Sequence, residues 1–251
     1  MTTVDLPRSF TIRDASHRID NPFDAGKLAT LGRALPLSPG TRILDLCCGK
    51  GELLATWARD HGITGHGVDI STVSIGRAHA TAAELGVADQ VTFEHGDAAG
   101  YVSAEPVDIA ACVGATWIGG GVPGTVALLE RSVRPGGLLL VGEPFWRAEP
   151  PSEEAVRACH ASSREDFADL PGLVRLFGEL GYDLVEMVLA DEDSWDRYAA
   201  AQWMNIRDFL DASPDDELAP AFREELDRAP LDYVTYTRHL LGWGVFVLRK
   251  R

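Results

Sequence analysis

The stretch Ile43-Leu-Asp-Leu-Cys-Cys-Gly-Lys-Gly-Glu52 decides the fold of this chain. Its first half is a short apolar run that is typical of a buried strand, and its end is typical of a helix start. Gly49 and Gly51 lie between them, where the lack of a side chain lets the backbone approach a ligand closely. The helix that follows offers free backbone N–H groups to such a ligand. The stretch therefore predicts a ligand-binding turn at the end of a sheet.

Outward from this turn, apolar strands alternate with amphipathic helices. Near-continuous apolar strands separated by helices are typical of parallel strands that are covered on both faces. We therefore predict an α/β fold with a doubly wound sheet. The predicted strands are Arg42–Cys47, Gly65–Asp69, Val91–Glu94, Val107–Val113, Leu138–Glu143, Tyr182–Leu189 and Gly244–Arg249. The predicted helices are Asp24–Leu35, Glu52–Asp60, Ser71–Leu85, Val122–Val133, Glu153–Ser162, Pro171–Leu180, Trp195–Leu210 and Asp215–Leu240.

A length of 251 residues indicates one domain that carries an insertion. We expect residues 1–40 to form an N-terminal lid with a helix and residues 41–145 to form the ligand-binding core. Residues 191–241 interrupt the alternation of strands and helices with two long helical stretches. Insertions of this kind often exclude water from an active site, so we expect this one to cover the site.

The composition excludes several classes of partner. The chain has 23 Lys and Arg against 38 Asp and Glu, a formal net charge of -15, which disfavours nucleic acids and anionic membrane surfaces. No apolar run reaches the ~18–20 residues of a membrane span, and the N-terminus lacks the apolar region of a secretory signal. The four cysteines form no C-x-x-C pair, so we expect no metal site, no disulfide framework and a cytoplasmic location.

Two aspartates indicate what the turn binds. Asp69 ends the next strand, 18 residues after Gly51, where an acidic residue can bind a ribose diol. A nicotinamide dinucleotide usually requires a third glycine, and Leu54 stands at that position. Asp45 suits a cationic ligand, such as an amino group or a sulfonium, better than a pyrophosphate. These residues therefore disfavour a nicotinamide-dependent oxidoreductase.

Five motifs together resemble those of the class I S-adenosylmethionine-dependent methyltransferases. The first, D-x-G-x-G-x-G, falls on residues 45–51, with Cys47 where the family has its first glycine. The others fall on Gly67–Ser71, Glu94–Ala98, Asp108–Gly114 and Arg134–Leu138, so the resemblance covers roughly residues 40–145. It implies a Rossmann-like sheet of seven strands in the order 3-2-1-4-5-7-6 with strand 7 antiparallel. An N-terminal helical segment and a helical insertion between strands 6 and 7 complete the expected fold.

The resemblance also implies the cofactor, S-adenosyl-L-methionine, with S-adenosyl-L-homocysteine as product. Asp45 would bind the methionine amino group directly or through water, Asp69 the ribose hydroxyls and Asp97 the adenine amino group. Cys47 and Cys48 are expected to be small packing residues rather than nucleophiles. The complete set of expected cofactor contacts is Asp45, Cys47, Gly49, Gly51, Asp69, Ile70, Asp97, Ala98, Cys112 and Gly114.

Ligands of a parallel sheet bind outside the carboxyl ends of its strands, which places the methyl acceptor near the ends of strands 4 and 5. Trp117 would face the acceptor, unless it packs under its loop. Glu143 would act as general base or orient an amine, unless it is a solvent-exposed residue. The remaining expected acceptor contacts are Trp146, Tyr198 and, in the lid, His17 and Arg18, which could also touch the cofactor carboxylate. Trp195, Tyr198 and Gln202 share one helix face, which is either core or pocket.

These observations predict a methyltransferase that acts on a small-molecule acceptor by in-line displacement. The residues after strand 4 lack the Asn-Pro-Pro-aromatic motif of adenine and glutamine methyltransferases and the carboxylate of a metal-assisted site. A non-catalytic module that only holds the cofactor is the alternative from another class. The sequence does not identify the acceptor atom.

Overall fold

The computed structural model describes residues 5–251. Its sheet has seven strands in the order β3-β2-β1-β4-β5-β7-β6, and β7 runs antiparallel to both of its neighbours, as predicted. The strands are β1 Arg42–Leu46, β2 Thr64–Asp69, β3 Val91–His95, β4 Val107–Val113, β5 Val133–Trp146, β6 Tyr182–Leu189 and β7 Leu241–Lys250. The helices are α1 Arg8–Arg13, α2 Ala25–Ala34, α3 Glu52–His61, α4 Thr72–Glu84, α5 Val122–Glu130, α6 Glu153–Ala158, α7 Leu170–Glu179, α8 Glu192–Ala212, α9 Ala219–Asp232 and α10 Arg238–Leu240.

The two faces of the sheet bury separate apolar cores. Ile43 of β1 packs in the core that includes Trp57 of α3. Its neighbour Leu44 packs in the core that includes Leu129 of α5 and Phe177 of α7. Successive side chains of a strand point to opposite faces, so an unbroken apolar strand is what a sheet with helices on both sides requires.

Strand β5 is longer than predicted because Pro144 does not end it. β4 pairs with β5 only as far as Gly142, so Pro144 has a neighbouring strand on one side alone, opposite Trp243 of β7. A proline is tolerated where one edge of the strand needs no N–H donor. The extension carries the chain from the core of the sheet to the wall of the site.

The insertion between β6 and β7 differs from its prediction in one place. The single stretch Asp215–Leu240 is instead α9, a π-helical turn at Tyr233–Thr237 and the short α10. The helix α1 was not predicted; it packs against α8 of the insertion and so brings the N-terminal segment to the same end of the sheet. Residues 1–4 of the predicted lid lie outside the described residues. Within residues 5–251, no helix combines the length and apolarity needed to cross a membrane.

Candidate active site

A cavity of about 1630 Å³ lies at the carboxyl ends of β1, β4 and β5. Its walls come from the glycine-rich turn, the segment around α1, the loop after β4, the end of α6, and helices α8 and α9. Pockets for a single small ligand usually measure ~300–1,000 Å³. The cavity therefore has room for a cofactor and a second molecule together.

The glycine-rich turn holds a cysteine in a backbone conformation that favours glycine. Cys47 has φ 60°, and Gly49 and Gly51 have φ 52° and 72°. The left-handed region costs a residue with a Cβ about 1–2 kcal/mol, which explains why the family has glycine where this chain has Cys47. Cys47 and Gly49 line the cavity as expected, whereas Gly51 does not. A Cβ on Gly51 would lie 2.6 Å from the ring of Phe93, so this glycine serves packing.

Asp69 is fixed at the cavity wall by two backbone donors. The N–H of Gly49 donates to its Oδ2 at 2.8 Å, and the N–H of Ser71 donates to its Oδ1 at 2.8 Å. Each carboxylate oxygen can accept a further hydrogen bond, so the group can still bind a diol. The turn and the carboxylate therefore form one preorganised unit.

Asp45 is a buried carboxylate with an unsatisfied oxygen. It is 3% exposed, and its Oδ1 has no hydrogen-bond partner among residues 5–251. Burial, with a smaller contribution from Asp69, raises its pKa to about 8. A buried acceptor without a donor is costly, and a bound ammonium group would satisfy both the oxygen and the charge. The site thus fits the amino group of the implied cofactor.

The other expected cofactor residues occupy different positions. Gly114 lines the cavity, with φ 90°, and a Cβ there would lie 2.2 Å from Oδ1 of Asn21. Cys112 is fully buried beside Cys47 and does not line the cavity, so its contact with the cofactor stays a prediction. Ile70, Asp97 and Ala98 also lie outside the cavity lining, at the ends of β2 and β3, and their contact with adenine stays a prediction.

Lys50 fastens the N-terminal segment over the turn. Its ammonium donates to the carbonyl oxygen of Asp14 at 2.5 Å, to that of His17 at 2.8 Å and to Oδ1 of Asp20 at 2.7 Å. The side chains of Asp14, His17 and Asp20 are close enough together to suggest a cation site. The ammonium already supplies a positive charge there, so this arrangement acts as an internal clamp. The sequence analysis missed Lys50, although a lysine between two glycines of the turn is a visible signal.

His17 lies behind the cavity wall. Its ring stacks on Tyr198 with centroids 4.6 Å apart, and its two nitrogens contact Oδ1 of Asp14 at 3.1 Å and the carbonyl of Tyr198 at 3.2 Å. It does not line the cavity, and its contact with the cofactor carboxylate or the acceptor stays a prediction. Arg18 does line the cavity, with its guanidinium paired to Glu52 at 2.9 Å.

Glu143 of β5 is a buried acid in the wall of the cavity. It is 8% exposed, lines the cavity and accepts a hydrogen bond from Oγ1 of Thr116 on Oε2 at 2.7 Å. Desolvation raises its pKa to about 7, and the Thr116 bond opposes that shift. Trp117, 72% exposed, also lines the cavity, so it does not pack under its loop. Thr116 gave no signal in the sequence.

Trp146 is buried behind the cavity wall and does not line the cavity, so its contact with the acceptor stays a prediction. It is 6% exposed, its Nε1 donates to the carbonyl of Arg164 at 2.8 Å, and its ring packs on Phe167. The reason is that the chain after β5 folds back, and the segment around Phe167 together with α6 covers the indole. Trp146 therefore supports the pocket from outside.

The shared face of α8 belongs to the pocket. Trp195, Tyr198 and Gln202 all line the cavity. The hydroxyl of Tyr198 donates to the carbonyl of Asp20 at 3.4 Å, and Nε2 of Gln202 donates to Oδ1 of Asp14 at 2.9 Å. Burial raises the pKa of Tyr198. The phenol is thus a neutral hydrogen-bonding group that joins the insertion to the N-terminal segment.

Comparisons with known proteins agree with this geometry. Residues 43–137 match the family model of a methyltransferase domain. An S-adenosylmethionine-dependent methyltransferase from Geobacter sulfurreducens, solved with S-adenosyl-L-homocysteine, is 60% identical with a TM-score of 0.97, over 98% of this chain and 99% of that one. One from Thiobacillus denitrificans, also solved with S-adenosyl-L-homocysteine, is 58% identical with a TM-score of 0.97, over 99% and 100%.

The protein YjhP of Escherichia coli K12 is 57% identical over 248 residues, which is 99% of this chain and 100% of YjhP. Two relatives that align end to end and hold the demethylated cofactor confirm the predicted cofactor and overturn the nicotinamide alternative. The chain belongs to the class I S-adenosylmethionine-dependent methyltransferases, and its cofactor is S-adenosyl-L-methionine.

Proposed function

We propose that the protein transfers the methyl group of S-adenosyl-L-methionine to a small molecule held in the cavity, by in-line displacement with Glu143 as general base. The observation that carries the proposal is a buried carboxylate with a pKa of about 7 in the same cavity as Asp45 and Asp69. A base with a pKa near the working pH combines a useful unprotonated fraction with a strong affinity for the proton.

The cofactor supplies a methyl group that its sulfonium has already activated. In the proposal, Asp45 accepts hydrogen bonds from the amino group and Asp69 from the ribose hydroxyls. Cys47, Gly49 and Gly114 provide close-approaching backbone. Gly51 shapes the turn, and Ile70, Asp97 and Ala98 form the adenine side. Because the methyl group needs no further activation, the protein's work is to position the acceptor and exclude water.

Glu143 would take the proton of the acceptor atom as the new bond forms. Thr116 holds Oε2 of the carboxylate, which leaves Oε1 to face the acceptor. Trp117 and Tyr198 would form walls for a flat or apolar acceptor, with Arg18 at the edge nearest the turn. We infer that residues 5–40 and 191–241 cover the site within a single domain, since α1 and α8 both line the cavity. A concave cavity of about 1630 Å³ that the N-terminal segment and α8 partly cover supports a small molecule over a macromolecule.

The charge and cysteine pattern support the remaining parts of the proposal. A net charge of -15 disfavours nucleic acid and anionic membrane as acceptors or partners. All four cysteines are free in the described part of the chain, which suits a reducing, cytoplasmic location.

The test is a turnover screen over a metabolite library with S-adenosyl-L-methionine. We expect one class of compound to gain the mass of a methyl group while S-adenosyl-L-homocysteine accumulates. With that acceptor, Glu143→Gln lowers the turnover number and leaves cofactor affinity within ~3-fold, because the carboxylate acts only at the atom that receives the methyl group. Cofactor binding without methylation of any small molecule would favour the non-catalytic module instead. An acceptor-bound structure with Glu143 out of reach of the ligand would refute its role as base.

A further inference from the structure

The end of α6 places a histidine where a helix normally uses glycine. The N–H of Ala161 donates to the carbonyl of Val156 at 3.2 Å, and the N–H of His160 donates to that of Arg157 at 3.0 Å. These two bonds form a Schellman motif, whose left-handed residue is usually glycine. His160 fills that position with φ 59°. Glycine would make the same backbone bonds without strain, so the turn itself gives no reason for an imidazole.

The imidazole belongs to the wall of the large cavity. Arg157 and His160 both line it, one turn apart at the end of α6. The base of α6 is firmly held: Val156 and Cys159 are fully buried beside Trp146, and Oγ1 of Thr237 donates to the carbonyl of Ala158 at 2.9 Å. Two polar side chains are therefore presented to the cavity from a rigid support.

Charged side chains near Arg157 and His160 mostly form ion pairs, but Arg157 does not. Arg13 pairs with Glu225 at 2.6 Å, and Arg228 pairs with Asp232 at 3.2 Å. Within residues 5–251, the guanidinium of Arg157 makes no ion pair. Arg157 is thus an uncompensated cation beside a histidine, in a cavity of a chain of net charge -15.

Charged groups from every packed element face His160. They are Arg13 of α1, Glu225 and Asp232 of α9, and Arg157 of α6 itself. Desolvation lowers the pKa of His160, with opposing effects from the two acids and a further lowering by Arg13. A neutral imidazole at this position can donate one hydrogen bond. Two other carboxylates line this end: Asp166, which accepts from Ser162 and Ser163, and the exposed Glu224.

We propose that Arg157 and His160 form a subsite for an acidic group, a carboxylate or a phosphate, on the methyl acceptor. The guanidinium offers the paired N–H donors that match either anion, and the imidazole adds a third donor. The inference rests on the proposed function, since it takes the occupant of this end of the cavity to be the acceptor. An anionic subsite gives the chemical class of the acceptor, which the proposed function leaves open.

The test uses small probes and needs no turnover. Protein saturated with S-adenosyl-L-homocysteine is titrated by saturation-transfer NMR with benzoate, phenyl phosphate, benzylamine and benzyl alcohol. We expect benzoate, phenyl phosphate or both to bind. The tighter binder of the two shows whether the subsite prefers a carboxylate or a phosphate. Arg157→Gln weakens that binding at least ~10-fold, as expected for the loss of a charge-assisted contact. The matched control is Arg197→Gln, an arginine of α8 outside the cavity with 74% of its side chain exposed, which leaves binding unchanged.

His160→Gly separates recognition from a structural role. Glycine relieves the left-handed backbone, so we expect an equal or higher melting temperature together with weaker anion binding and unchanged affinity for S-adenosyl-L-homocysteine. Preference for benzylamine, failure of both anions to bind, or undiminished anion binding in Arg157→Gln each overturns the proposal. So does a His160→Gly variant that melts lower and binds the anion as before. Failure of the proposed function looks different: the library screen yields no methylated product although the anionic probe binds.

Discussion

Replacing Glu143 by glutamine tests the proposed base before any acceptor is known. The folded protein holds the Glu143 proton with a pKa of about 7, against an ordinary 4.5. An acid whose pKa is raised by folding loses stability as the pH rises from the ordinary pKa to the folded one. The loss is complete above about pH 7, and a shift of this size corresponds to at most about 3 kcal/mol. Glutamine never ionises, keeps the shape and can still accept from Thr116.

We therefore expect Glu143→Gln to be more stable than the parent at pH 8 and equal to it near pH 4. At ~2–4 °C per kcal/mol, the gain at pH 8 is at most about 12 °C in melting temperature, and solvent in the cavity reduces it. Paired thermal melts from pH 4 to 8 measure the difference. A difference that stays constant with pH would refute the raised pKa, and with it the reason for assigning the base to Glu143. In an active assay, the parent's turnover rises with pH through about 7, because the carboxylate is the working form.

Three further predictions concern the turn and the surface. Asp69→Ala removes charge-assisted contacts of about 1.5–3 kcal/mol each and the acceptor of two backbone N–H groups. Calorimetry should therefore show that S-adenosyl-L-methionine binds at least ~10-fold more weakly. Unchanged affinity in a folded variant would refute the assignment of Asp69 to the ribose hydroxyls. Cys47 has φ 60°, so Cys47→Gly should keep the cofactor affinity and should not lower the melting temperature. Cys47→Val should lower the melting temperature, because a β-branched residue is poorly accommodated at this φ. The reverse order of melting temperatures would contradict backbone strain at this turn. No DNA or RNA binding is expected at physiological salt, and a salt-dependent gel shift at micromolar protein would overturn that expectation.

The sheet could be predicted from the sequence because its signals are local and redundant. An apolar strand such as β4 must be covered on both faces, whatever the neighbouring residues are. Errors occurred where tertiary pairing overrides a local signal. Pro144 indicates a strand end by itself, and only the early end of β4 makes it acceptable within β5. The order of the strands came from the resemblance to a family rather than from the pattern.

The acidic residues of the site could be predicted because each lies in the carboxyl-terminal part of a strand, where position alone implies a role. Asp45, Asp69 and Glu143 all line the cavity. Aromatic residues were less predictable. Trp117 follows β4 and Trp146 ends β5, so both were expected at the same edge of the sheet, and only the packing of α6 and Phe167 on Trp146 separates them. Arg157 and His160 had no signal at all, because the left-handed conformation of His160 is a property of the backbone.

The N-terminal segment makes contacts that its sequence does not predict. Its side chains suggested ligand contacts, yet two of the three groups that bind Lys50 are main-chain carbonyls, of Asp14 and His17, which any residue would supply. In the same short segment, the carbonyl of Asp20 accepts a hydrogen bond from the Tyr198 hydroxyl, and the side chain of Asp14 accepts one from Gln202. The segment Asp14–Asp20 is therefore bonded on one side to the glycine-rich turn and on the other to α8, which lines the same cavity. Both sets of bonds act on the same few residues, so the turn and α8 are joined by hydrogen bonds through this segment, a connection that the strand and helix pattern of the sequence does not contain.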